Sequence, residues 1–479
     1  MFTVSPLPRN TCAEKFFHYL FMVIFTSVIV INAFSGAITT KAPVTVGLFC
    51  IVGPLMVFFY YNSYAKLPCR LFLGMSLVSF IVSAIMMSGM YSAVFNFYYF
   101  SAVLFLAVVV RMALSSTYPM RSLIVSVYAA VNFVMYSSLV YYVLIYLPGG
   151  VKSYGGFGYS FFFDDKSHYT IFLGFYIYMT ALFADNLRHD VVGGRAGGGR
   201  VVLHSIHMLF ALVITLILSS STFSRLIVFF LPLVVFVFYF MIDAAVSVKI
   251  RGPRRRILTG RISFMVYFCL AVFIAFIIIP MVIENATVRR ITRLAENGAD
   301  AAFESHILLI KLALTSKFES ISNFIWGVGL GNFQIEIRDN GLLQYLTRYK
   351  GNFSHATGSY LPVHSVWATI FIEMNIFFFS MIMMFVFYIF LSAIFYLNIH
   401  TAGFVAGIFL SSMFYTTINE PFYFIMWAVI IMYSVSWAQR SKVNLLDLLK
   451  VVRTDGITRQ SSGIAAVRVV EHGDEPSGT

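Results

Sequence analysis

Glu284-Asn-Ala-Thr-Val-Arg289-Arg290-Ile-Thr-Arg293 begins a polar stretch, residues 284–363, that passes through Gly327-Val-Gly-Leu-Gly-Asn-Phe333 and ends at His364-Ser365. It is the one long water-loving insert in a chain otherwise built of apolar runs. Those runs decide the fold class, and the insert decides where chemistry can sit.

Hydrophobic residues make up 59% of the 479-residue chain, charged residues make up 11%, and the mean hydropathy is +0.85. A soluble domain carries about 25% charged residues, so this composition belongs to an integral membrane protein. Aromatics reach 18%, which suits lipid-facing surface and interfacial belts. The net charge of +13 sits mainly in short links between apolar runs, a mark of membrane topology and not of a nucleic-acid surface. Cys12, Cys50, Cys69 and Cys269 lie outside the insert and suggest neither a disulfide framework nor a thiolate metal site. Arg9 and Lys15 precede an apolar run at 16–38. That run exceeds the about 7–15 residues of a signal-peptide core, so it is predicted to be an uncleaved first span.

An apolar segment of about 20 residues crosses a bilayer. Twelve segments qualify: 16–38, 43–61, 71–90, 95–114, 123–147, 169–187, 203–221, 225–247, 262–283, 364–397, 401–419 and 420–437. Backbone groups cannot stay unpaired in lipid, so helices are the default. The predicted fold is therefore an all-α polytopic membrane protein with about 12 spans. Lys249, Arg251, Arg254, Arg255, Arg256 and Arg261 crowd the link between spans eight and nine; Arg188, Arg195 and Arg200 lie between six and seven. The positive-inside rule makes those links and both termini cytoplasmic and puts the insert outside. The organisation is then 1–283 for spans one to nine, 284–363 for the outer loop, 364–437 for spans ten to twelve and 438–479 for a cytoplasmic tail. The run at 193–199 is a glycine-rich linker that lacks the context of a phosphate loop.

Within the insert, Phe303, Ile307, Ile310, Leu314, Phe318, Ile321 and Ile325 recur at steps of three and four, the period of one helix face. Glu304, Lys311, Lys317 and Glu319 are expected elsewhere on its surface. Such a helix either lies on the membrane or packs over the bundle, as a lid or as plain structural support. Gly327 suits a helix C-cap, and the alternate glycines suit a tight turn or, alternatively, a phosphate nest. Arg289 and Arg293 share a helix face, with Arg290 beside them, and Arg225 opens span eight at the outer surface. A lone Arg there snorkels; several converging guanidiniums would neutralise a pyrophosphate.

His364 meets the tenth span where the insert ends, as a base for a hydroxyl nucleophile or as a simple interfacial cap. Glu373 follows nine residues later, about 13 Å along a helix, as a functional carboxylate or a structural partner. Lys166 and His168 enter span six, as phosphate and sugar contacts or as solvated loop residues. Glu420, at the turn between the last two spans, is a further candidate for sugar contact. None of these groupings resembles a metal site.

Together, Asp164-Asp165-Lys166-Ser167-His168, Ser224-Arg225, the long insert with Gly327-Val-Gly-Leu-Gly-Asn-Phe333, and His364-Ser365 followed by Glu373 resemble the O-antigen ligase and Wzy-type polysaccharide polymerase superfamily. Ser365 and Asn375 stand where that family usually has Asn and Gly. The resemblance implies a GT-C-like, metal-independent glycosyltransferase with no cofactor, using an undecaprenyl-pyrophosphate-linked glycan. His364 would activate the acceptor hydroxyl, while Arg225 and one of Arg289, Arg290 and Arg293 would hold the pyrophosphate. Lys166, His168, Glu373 and Glu420 would contact substrate.

The expected protein is a multi-pass polymerase of O-antigen or exopolysaccharide in the bacterial inner membrane, with its site on the periplasmic face. Its expected partners are the lipid-linked oligosaccharide, membrane lipids, a chain-length regulator and a flippase, with no nucleic acid. The rival readings are a ligase with a lipid A–core acceptor, a peptidoglycan glycosyltransferase, whose outer-loop acidic pattern is missing here, and a flippase or other transporter.

Overall fold

The computed structural model describes residues 12–34, 97–106, 120–146, 166–192, 301–329, 332–333, 365–396, 398–413 and 421–440, with isolated positions between 74 and 85, at 109, 161 and 163, and between 203 and 218. The regular structure in them is helical, and no strand occurs among the described residues. The longer elements are α1 (Cys12–Phe34), α2 (Phe97–Leu106), α3 (Met120–Tyr141, continued by a π turn Tyr142–Tyr146), α4 (Lys166–Val192), α5 (Ala301–Phe318), α6 (Ile321–Trp326), α7 (Val366–Glu373), α8 (Ile376–Phe395), α9 (Ile399–Ser411) and α10 (Pro421–Arg440).

Apolar residues on more than one side of a helix distinguish these elements from soluble amphipathic helices. On α3, Leu123, Val127, Val131 and Val134 are buried at helical spacing, while Val125, Phe133 and Val140 point outward. α10 is enclosed almost throughout, from Phe422 to Ser434. It packs on α1 and α8, α3 packs between α1 and α4, and α9 bridges α4 and α8. Rings fill the joints: Tyr178 stacks on Phe404 at 4.3 Å, and Tyr98 meets Phe424 edge-on at 5.7 Å. Small polar groups tie helices across the apolar core. The Tyr178 and Thr401 hydroxyls are 3.0 Å apart, and Asn32 Oδ1 accepts from the Phe422 amide at 3.4 Å. The Ser138 and Tyr169 hydroxyls are also hydrogen-bonded. Such contacts hold helices together where burial alone gives no preference for protein over lipid.

Among the described residues, two helices are long and apolar enough to cross a membrane, Ser122–Tyr146 and Ile376–Phe395. Shorter apolar helices occupy Met22–Phe34, Phe97–Leu106, His168–Phe183, His400–Ser411 and Phe422–Ala438. The expected spans at 43–61, 225–247 and 262–283 and the arginine-rich link before the last of them lie outside the described residues.

The expected tenth span, 364–397, is not one helix. It divides into α7 and α8 at Met374-Asn375. Met374 caps the end of α7 with extended backbone, and Asn375 caps the start of α8, its side chain accepting from the Phe378 amide at 2.7 Å. The 20 residues of α8 extend about 30 Å, the hydrocarbon thickness of a bilayer. The break therefore lies at one end of a membrane-length helix and not halfway along it.

Candidate functional site

A helix break strands backbone carbonyls that would otherwise bond within the helix. Here the polar insert supplies the missing donors. The Val328 amide donates to the Ile372 carbonyl at 3.0 Å, and the Gly329 amide donates to the Glu373 carbonyl at 3.1 Å. Lys317 Nζ donates to the Met374 carbonyl at 3.0 Å. Three successive carbonyls at the break are thus met by a helix and a loop of the insert.

The glycine-rich segment has the conformation this docking requires. Gly327 caps α6 with φ of 83°, its amide donating to the Asn323 carbonyl at 2.9 Å, as its place after an apolar helical run predicts. A Cβ at Gly327 would stand 2.6 Å from the Met374 carbonyl oxygen and 2.7 Å from that of Glu373. Only a residue without a side chain lets the two backbones meet this closely. Gly329 also has positive φ, 91°. Asn332 closes the loop, its side-chain amide donating to the Val328 carbonyl at 3.1 Å. The Val328 and Gly329 amides are engaged by carbonyls, so the segment acts as a docking turn and those amides cradle no phosphate.

Lys317 is the main departure from the sequence-based expectation. Its predicted place was the surface of the insert helix, yet it is 0% exposed. Its ammonium also lies 5.3 Å from the centre of the Phe371 ring. Burial pushes its pKa down to about 8 from an ordinary 10.5, because a charge loses hydration there. α5 turns Leu309, Leu312 and Ala313 toward α7, where Ile372, Val328 and Phe333 complete a small apolar cluster. Of the predicted face, Ile307, Leu314, Phe318 and Ile321 are exposed, whereas Ile310 packs against that cluster. The amphipathic period was legible; which side meets the protein was not.

At the other end of α7, Ser365 fixes the chain next to His364. Ser365 Oγ accepts from the Ala368 amide at 3.2 Å and donates to the Ser412 carbonyl at 3.3 Å. The Val366 amide donates to the same Ser412 carbonyl at 2.8 Å. Ser365 thus caps α7 and Asn375 caps α8, both with residue types well suited to a helix N-cap.

Two of the predicted site residues have described side chains. Glu373 is buried, 1% exposed, at the break itself. His168 is half-buried in the first turn of α4. Lys166 begins α4, but its side chain lies outside the described residues. His364, Arg225, Arg289, Arg290, Arg293 and Glu420 also lie outside them.

One polar cluster was not read from the sequence. His207 Nδ1 lies 2.9 Å from the Tyr128 hydroxyl, while its Nε2 lies 2.8 Å from that of Tyr136 and 3.4 Å from that of Tyr176. A signal was present: Tyr128 and Tyr136 are eight apart, two helical turns, and His207 lies in a largely apolar run. The imidazole ties two helices to the segment that carries it.

Comparison of the chain with known protein families finds no matching family, and comparison with curated proteins finds no match.

Proposed function

We propose that this chain is a polysaccharide polymerase of the bacterial inner membrane, moving a glycan from undecaprenyl pyrophosphate onto a lipid-linked repeat unit at the periplasmic face. The observation that supports this reading most is the break at Met374-Asn375, where Lys317 and the Gly327–Gly329 turn fasten the polar insert to the helix that begins beside His364. An insert fastened to that helix can hold a base where the two join. The composition and the apolar helices agree with a membrane setting.

In this reading the acceptor hydroxyl attacks the anomeric carbon of the donor glycan. The bond from that carbon to the pyrophosphate oxygen breaks, and the proton of the hydroxyl passes to His364. Arg225 and an arginine among Arg289, Arg290 and Arg293 neutralise the departing pyrophosphate, whose charge a guanidinium can pair through two parallel hydrogen bonds. Lys166, His168, Glu373 and Glu420 contact the sugars or hold the pocket. With a base and cations in place the reaction needs no metal.

The test is chain length in cells. His364→Ala and Arg225→Ala abolish polymer while protein level and repeat-unit export stay intact. Normal chain length in both variants would contradict the assignment, and unpolymerised units held on the cytoplasmic face would indicate a transporter instead.

A further inference from the structure

α5 and α6 carry two apolar sides, and the described residues cover one of them. Leu309, Leu312 and Ala313 pack inward against α7. On the outward side Phe318 is 62% exposed and Ile321 80% exposed, with Leu314 and Trp326 also in the open. A polar insert in water has no reason to present such a stripe, since large exposed apolar patches mark interaction surfaces. The stripe is not an accident of one turn. It follows the helical period of the sequence, and it continues past the Ser320 cap, which restarts the helix as α6.

The surroundings indicate what covers it. Phe318 stacks on Phe324 with ring centres 5.6 Å apart, and on the other side tilts against Phe371 at 6.2 Å. Phe371 meets Phe379 edge-on at 5.0 Å. Phe379 belongs to α8, the helix of membrane-crossing length, whose outward side bears Phe377, Met384, Phe387 and Tyr388. A path of aromatic rings therefore joins the outward stripe of the insert to the first turn of α8 and sets α6 beside the end of that helix. Lys311 is exposed on the flank of the stripe, placed to carry its ammonium toward headgroup phosphates while its stem lies on apolar surface. Trp326 ends the stripe with the side chain most suited to a membrane interface.

We infer that the outward side of α5 and α6 is a lipid-contacting surface, seated at the membrane interface with phospholipid acyl chains against Leu314, Phe318, Ile321 and Trp326. The inference rests on the membrane reading of α8 and is independent of the proposed enzymatic activity. It gives the insert two attachments, one to the break in the protein and one to the leaflet. The insert would thereby be held at a fixed depth.

The experiment uses the full chain in phospholipid nanodiscs, with Cys12, Cys50, Cys69 and Cys269 replaced by Ser. Nitroxide spin labels are placed in separate variants at Ile321→Cys, Phe318→Cys and, as a lipid-facing standard on α8, Phe387→Cys. Collision with oxygen, which partitions into lipid, is compared with collision with a water-soluble nickel chelate. The expected result is a several-fold preference for oxygen at Ile321 and Phe318, approaching that at Phe387. Free access of the nickel chelate to Ile321 and Phe318, with Phe387 still lipid-exposed, would overturn the inference and leave the membrane reading standing. Immobilised labels that neither reagent reaches would overturn it in favour of a protein partner. Nickel access at Phe387 as well would remove the membrane reading and the inference together.

Discussion

Gly327 and Met374 meet backbone to backbone, close enough that a Cβ on Gly327 would stand 2.6 Å from the Met374 carbonyl oxygen. This contact joins the polar insert to the break between α7 and α8. Replacing Gly327 by Ala adds that clash to the cost of positive φ for a residue with a side chain, together at least about 1–3 kcal/mol. Amide hydrogen exchange should speed up at Val328 and Gly329, whose amides lose their carbonyl partners at the break. Gly74→Ala is the control, since a Cβ there meets nothing within 4 Å. Unchanged exchange in Gly327→Ala would mean that the loop is not docked as described.

Lys317 makes the docking sensitive to pH. Its folded pKa is about 8 against an ordinary 10.5, so the folded protein releases this proton before the unfolded chain does. Between about pH 8 and 10.5 the unfolded state binds the extra proton, and this group's contribution to stability rises with pH. Below that window lysine is charged in both states and its contribution is flat. Thermal unfolding of wild type and Lys317→Met should diverge across the window, wild type gaining relative to the variant as pH rises. A difference that does not change with pH would show that the ammonium is not buried at the break.

The Ser365 cap of α7 makes a third prediction. Ser365→Ala removes the hydroxyl that caps α7 and reaches Ser412, at a cost of about 0.5–2 kcal/mol. Ser365→Asn keeps a capping side chain. Polymer formation by purified protein should therefore stay near wild type in the Asn variant and fall in the Ala variant, because the chain beside His364 loosens. Equal activity in all three would separate the cap from the site.

Much of this arrangement was legible in the residues. An all-helical apolar chain follows from composition and run length, and Gly327 as a helix C-cap follows from its position after a helical run. The break at Met374-Asn375 was hidden because neither residue is Pro or Gly and the apolar run resumes directly after Glu373-Met-Asn375. Asn375 before Ile-Phe-Phe-Phe was the available signal, since Asn ahead of an apolar helix is a start mark. The inward turn of Lys317 could not be read from period alone. A helix with apolar residues on two sides leaves open which side the protein takes, and the carbonyls that hold the ammonium exist only once the distant span has broken.

The central claim, that this protein polymerises lipid-linked repeat units, is tested most directly by incubating the purified chain with those units alone in the presence of a metal chelator. The account predicts a ladder of lengthening glycans on the lipid carrier, lost in His364→Ala. No ladder with repeat units alone, and transfer only after lipid A–core is added, would contradict it in favour of a ligase.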